Sequence, residues 1–249
     1  MIIFKSPEEI DRIRRAGVVV ASTIDALLES VGPGVSTGDL DRFAEKTIRA
    51  KGAIPSFKGY RGFPASICTS INEQVVHGIP GPRVLSEGDL LSLDVGAIWD
   101  GYHADSAVTV FVGTPPSDLA EKLVRITEES LEGAISLLRP GRRLSDVGHA
   151  VQQVAEGAGF SVVREYAGHG VGRALHEDPQ VPNHGKPGRG PLIKPGLVVA
   201  VEPMVNVGDW RTRVLADKWT VVTADGSLSA HFEHTIAVTQ DGPEVVTAR

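Results

Sequence analysis

The chain has 249 residues, 41% of them apolar, enough for one large hydrophobic core or two fused smaller ones. Its 25 lysines and arginines face 31 acidic residues, and the net charge of −6 argues against nucleic acid, whose phosphates need a cationic field. No run reaches the roughly 18 apolar residues of a membrane span, the charged start from Met1 to Arg15 is no signal peptide, and the lone Cys68 can form no internal disulfide.

What remains is a cytoplasmic globular chain that opens on helices. Ser6-Pro7-Glu8-Glu9 is a helix start, with a serine cap, proline in the first turn and glutamate three residues after the cap. Ile10, Ile13, Gly17, Val20, Ile24 and Leu27 then recur at helical spacing until Gly32-Pro33-Gly34. Ser36 or Thr37 caps a second helix with Leu40, Phe43, Thr47 and Ile48 on one face and Gly52 just past its end. From Ser66 to Val112 short β-rich runs alternate with turns, including the hairpin signal Asp100-Gly101. Helices return at Ser117, with a stripe of Leu119, Leu123, Ile126, Ser130, Ala134 and Leu137. A further helix carries Val147, Val151 and Val154 and stops at Gly159. Strand-like runs follow at Leu197–Glu202, Trp219–Thr223 and Ser229–Val238, and Pro182–Gly196 reads as a long surface loop.

The order is therefore helices, strands, helices, strands, which favours an α+β fold over alternating β and α. Pro33 and Pro140, Gly34 and Gly141, Asp39 and Asp146, and Gly52 and Gly159 all stand at one constant offset. They suggest a duplicated unit with halves at roughly residues 5–112 and 117–240 of a single domain, 1–249.

The first chemical signal lies in the hairpin. If Asp100-Gly101 closes it, Asp94 faces Ala107 and Asp105 faces Gly96, so Asp94 and Asp105 share a face as diagonal neighbours roughly 7–8 Å apart. Two carboxylates on an otherwise apolar face repel one another and lose hydration, unless that face is solvated. Buried, they need a shared proton or a cation. Three later segments add donors. His169 lies among glycines in GHGVG, Glu202 ends the apolar run Leu197–Val201, and Glu233 lies within a strand-like run. Each alone fits a loop or surface residue equally well; together they strengthen the metal reading of the hairpin pair.

In this order and setting, Asp94, Asp105, His169, Glu202 and Glu233 resemble the metal ligands of the type I methionine aminopeptidases. The surrounding phrases match as well: SICTSINEQVVHGIPG at 66–81, LDVGAIWDGYHADSA at 93–107, GHGVGRALHEDPQVPN at 168–183, VEPM at 201–204 and FEHT at 232–235. The likeness runs from Lys5 to Val238. It implies a pita-bread (creatinase/aminopeptidase-like) α+β fold of two pseudo-symmetric halves with the active site between them. It also implies a metalloaminopeptidase that removes N-terminal methionine from nascent proteins when the second residue is small. Two divalent ions are implied, with Asp105 and Glu233 bridging, Asp94 on one and His169 with Glu202 on the other. Four carboxylates and an imidazole suit manganese, iron(II), cobalt or zinc.

By the same resemblance Glu202 is the proton shuttle, and His77 and His176 hydrogen-bond the substrate amide and the developing oxyanion. Tyr60, Phe63, Cys68, His77, Leu175 and Trp219 wall the methionine pocket, where Cys68 is no nucleophile. Leu175 departs from the phenylalanine usual in the bacterial enzymes. The resemblance further implies a monomeric, cytoplasmic enzyme of bacterial style acting on nascent N-termini at the ribosome, with no DNA or membrane partner. The competing readings are a proline-specific aminopeptidase or prolidase-like relative, and a non-catalytic binding protein of the same fold. The short separation of Glu202 and Glu233 leaves no room for the helical insertion of type II enzymes. Gly34-Val35-Ser36-Thr37-Gly38 matches G-x-S-x-G, but it follows a helix rather than a strand, so Ser36 is better read as a cap.

Overall fold

A computed structural model describes residues Met1–Arg249. The chain opens with α1 (Pro7–Leu28) and α2 (Thr37–Ala50). Ser6 and Glu9 form a reciprocal capping box at the start of α1, and Ser36 accepts from the Asp39 N–H to cap α2. Caps of this kind are each worth about 1 kcal/mol. All six residues of the α1 stripe are buried. The stripe of α2 is narrower than expected: Leu40 and Ile48 are buried with Ala44, whereas Phe43 is 38% exposed and Thr47 half-buried.

Five strands follow: β1 (Ile54–Pro55), β2 (Ile67–Ile71), β3 (Gln74–Val76), β4 (Leu90–Trp99) and β5 (Tyr102–Phe111). The second helical pair is α3 (Asp118–Ile135), capped by Ser117, and α4 (Leu144–Gly157). Leu119 lies off the buried stripe of α3, and Leu137 lies past its end. The remaining strands are β6 (Ser161–Val162), β7 (Ala167–Gly170), β8 (Glu177–Pro182), β9 (Val198–Val201) and β10 (Met204–Asn206), then β11 (Thr212–Val214), β12 (Val221–Thr223), β13 (Ser229–His231), β14 (Glu233–Val238) and β15 (Pro243–Val245). The expected strand from Ser229 to Val238 is thus two strands. Phe232 separates β13 and β14, which join different sheets. Sequence periodicity gave no sign of β7 and β8, because glycines punctuate the first and prolines the second.

A nine-stranded sheet has the path β1-β4-β5-β14-β9-β7-β8, with β2 on β4 and β15 on β14. Two three-stranded sheets, β13-β10-β6 and β11-β12-β3, complete the β structure. α1 packs across β4 and β5, and α3 packs on α4. One apolar cluster of 49 buried residues joins helices and strands from the whole chain. No helix is long and apolar enough to cross a membrane.

Candidate active site

β4, β5, β14, β9 and β7 are consecutive in the large sheet. Asp94 lies on β4, Asp105 on β5, Glu233 on β14, Glu202 just past β9 and His169 on β7. Five neighbouring strands each bring one donor to a single cavity. The hairpin register is the one expected from Asp100-Gly101, with Asp94 opposite Ala107 and Gly96 opposite Asp105. Ala107 also pairs with Glu233, so its small side chain lies between two carboxylate-bearing positions. His234 faces Val201, which sets Glu202 and Glu233 one step beyond on adjacent strands.

The glycines around His169 permit close approach. A Cβ on Gly168 would lie 2.3 Å from the Ala200 carbonyl oxygen, and one on Gly170 would lie 2.2 Å from that of Asp178. Side chains there would push β7 off its neighbours and displace His169.

Donor atoms of Asp105, His169 and Glu233 lie within 4.8 Å of one another. The Nδ1 of His169 is 3.0 Å from the Gly170 carbonyl oxygen, which can only accept, so Nδ1 carries the proton. Nε2 then presents its lone pair 3.5 Å from Asp105 Oδ2 and 3.6 Å from Glu202 Oε1. Burial holds the imidazole pKa down at about 4, so Nε2 is bare at neutral pH. Acceptors turned toward one another at this range call for a cation. Asp94 Oδ1 is buried without a hydrogen-bond partner, which points the same way.

The carboxylates feel one another. Burial, then Asp105, push Asp94 well above the usual range. Burial, then Asp105 and Asp94, do the same to Glu202; Glu233 is raised by burial, Asp105, Glu202 and Asp94. Burial raises Asp105 too, against the Thr235 hydroxyl, which donates to its Oδ1 at 2.9 Å and so fixes its orientation. These donors fit a divalent cation, which would replace the protons that burial otherwise enforces.

The cavity holds about 140 Å³ and passes from this polar floor to an apolar wall. Phe63, Cys68, Leu175, Tyr60 and Trp219 line that wall, and the Trp219 and Phe63 rings meet edge-on at 5.1 Å. Burial, then Asp94 and Glu233, push the Cys68 thiol well up, so it stays neutral and is a poor nucleophile. His77 lines the cavity at φ 60, a conformation uncommon outside glycine, and burial holds its pKa at about 4. His176 also lies near about 4, through burial and then His169. Its ring stacks on Tyr60, whose hydroxyl is 2.9 Å from Nδ1.

Every residue singled out for the site borders this cavity, with two further ones, Phe57 and Arg61. For Phe57 the sequence marks only that something comes close to β4, not which residue. Gly96 interrupts β4 beside Asp94, and a Cβ there would lie 2.6 Å from the Phe57 ring. Arg61 had no signal.

Residues 11–240 match the model of metallopeptidase family M24. Methionine aminopeptidase 1 of Bacillus subtilis is 55% identical over 247 residues, covering 99% of each chain. That of Clostridium perfringens is 53% identical with the same coverage. The crystal structure of methionine aminopeptidase from Thermotoga maritima superposes with a TM-score of 0.98 at 46% identity over the full length of both chains. Prolidase from Pyrococcus furiosus superposes at 0.82 and 21% identity, covering 99% of this chain and 66% of its own; that likeness concerns the fold alone.

Proposed function

This chain belongs to metallopeptidase family M24 and has its pita-bread fold, and from that premise we infer that it is a hydrolase removing the N-terminal methionine of polypeptides. The observation that carries the reading is one cavity in which five cation-seeking donors adjoin an apolar, partly aromatic wall. Asp105 and Glu233 would hold both of two divalent ions, Asp94 one of them, and His169 with Glu202 the other. Bound there, the ions supply a hydroxide nucleophile near neutral pH and polarise the scissile carbonyl.

The protein's own groups do the rest. Glu202 takes the proton of the attacking water on a carboxylate oxygen and returns one to the leaving amine. With the Tyr60 hydroxyl, 2.9 Å away, as donor to His176 Nδ1, the ring would keep its proton on Nε2 and donate it in a hydrogen bond to the carbonyl oxygen as charge develops there. His77 hydrogen-bonds the substrate amide. Cys68, Phe63, Leu175 and Trp219 enclose the methionine side chain, whose polarisable sulfur favours aromatic edges. The matching order of a helical pair and then strands in residues 5–112 and 117–240 supports a duplicated unit with this site between its halves.

Product analysis with Met-Ala-Ser and Met-Leu-Ser peptides tests the reading. The metal-loaded protein should release methionine from the first and spare the second, and exhaustive chelation should stop the reaction. Cleavage beside proline in place of methionine release would assign it to the proline-specific relatives. No cleavage with any divalent metal would leave only a binding role.

A further inference from the structure

We propose that the buried ion pair between Lys5 and Glu177 positions His176, which makes Lys5 and Glu177 positioning residues for methionine removal; the proposal rests on the oxyanion role assigned to His176 above. Lys5 Nζ lies 2.7 Å from Glu177 Oε2, with the two side chains only 3% and 11% exposed. The same ammonium donates to the Ile3 carbonyl at 3.0 Å. The other oxygen of Glu177 accepts the Ala174 N–H at 3.1 Å. Glu177 therefore spans the turn that leaves β7 and returns in β8, and ties it from within to the segment before α1.

His176 lies inside that tie. Ala174 is held by its N–H two residues before it, and Glu177 is held by its carboxylate one residue after it. Glu177 also pairs with Gly170, one residue beyond His169. The turn packs directly on the ion pair. A Cβ on Gly172 would lie 2.5 Å from Glu177 Oε1 and 2.7 Å from Lys5 Cε. The backbone holds both sides, with Lys5 N–H donating to the Gly196 carbonyl at 2.7 Å and His103 N–H to the Gly172 carbonyl at 2.9 Å. A second link, Arg173 to Glu9 at 4.0 Å, has an arginine side chain 69% exposed, where ion pairs hold geometry weakly. The buried pair is the tighter constraint.

An ion pair in this position adds little stability over apolar residues of the same volume, because both charges lose their hydration. It fixes direction: one carboxylate must meet an ammonium and an amide at once. The reach of His176 to a developing oxyanion depends on that direction, and small misplacements of such donors cost up to about 10²-fold in rate.

The test is a cycle of variants in the metal-loaded protein. Lys5→Met should lower kcat for Met-Ala-Ser by roughly tenfold to a hundredfold, change KM less, and leave metal affinity unchanged. Lys5→Arg should retain most of kcat. In a His176→Ala background Lys5→Met should lower kcat no further, since residues acting as one unit are not additive. Exchange of the Ala174 amide, followed separately, should quicken in Lys5→Met. If Lys5→Met does not fold, Glu177→Gln keeps the volume and the acceptor for Ala174 and carries the same cycle. An equal loss of kcat with and without His176, or a rise in KM alone, would overturn the inference. Absence of methionine release by the unchanged protein would instead remove the reading beneath it.

Discussion

Glu202 is the residue whose two roles can be separated. It lies past an apolar strand, its Oε1 3.6 Å from the bare nitrogen of His169, and it is proposed both as a donor to a cation and as the proton carrier. Glu202→Gln keeps a ligand oxygen but cannot take a proton, so kcat should fall by roughly 10²–10⁴-fold even at saturating metal. Metal titration alongside turnover checks this; a normal kcat with weakened metal binding would remove the shuttle role. Leu175 tests the pocket. It is 2% exposed on the apolar wall. A ring placed there by Leu175→Phe adds a sulfur–aromatic contact of about 0.3–1.5 kcal/mol. The preference for methionine over norleucine, compared as kcat/KM ratios, should rise by roughly twofold to tenfold. An unchanged ratio would mean that the sulfur lies elsewhere or that Trp219 already saturates it.

At the scale of elements, legibility in the sequence followed the strength of the local signal. The β4–β5 hairpin could be read to the residue because Asp100-Gly101 fixes a two-residue turn, and its period of two then sets Asp94 and Asp105 on one face. α1 was legible for the same reason: cap, proline and apolar spacing agree. β7 was not, because the glycines that let it nest between β8 and β9 erase the apolar alternation of a strand. Those glycines make a prediction. Gly168→Ala would set a methyl 2.3 Å from the Ala200 carbonyl oxygen, and overpacking of this kind costs about 1–3 kcal/mol. It should also weaken metal binding, because His169 moves with its strand. Gly133→Ala, inside α3 with nothing within 4 Å, should instead stabilise the protein by about 0.5–1 kcal/mol. Denaturant unfolding of both variants with a metal titration decides it; equal effects would show that β7 yields without cost.

For the whole molecule, the sheet order was the part hidden from sequence. β14 pairs with β5 and β9, far from it along the chain, and no local pattern specifies such pairings. That order nevertheless builds the site, since it lays five donors from both halves of the chain across adjacent strands. A cation held by all five would tie distant segments of the chain together, so its removal should be felt globally. Metal at about 100 times its dissociation constant adds about 2.7 kcal/mol, or roughly 5–10 °C in Tm for a chain of this size. The effect should depend on pH in a direction the carboxylates set. Without metal, Asp94, Asp105, Glu202 and Glu233 all have folded pKa values above their unfolded ones, near 4. The folded chain then holds protons that the unfolded chain releases, so this contribution is present below about pH 4 and is lost as pH rises through the folded values. With metal the sign reverses, because only the ionised carboxylates and neutral His169 bind, and the metal's contribution grows with pH. Unfolding curves of the chelated and metal-loaded protein should therefore converge toward pH 5 and separate toward pH 7.5. A gap independent of pH would mean that the ions bind without displacing protons, and the four carboxylates would then not be their ligands.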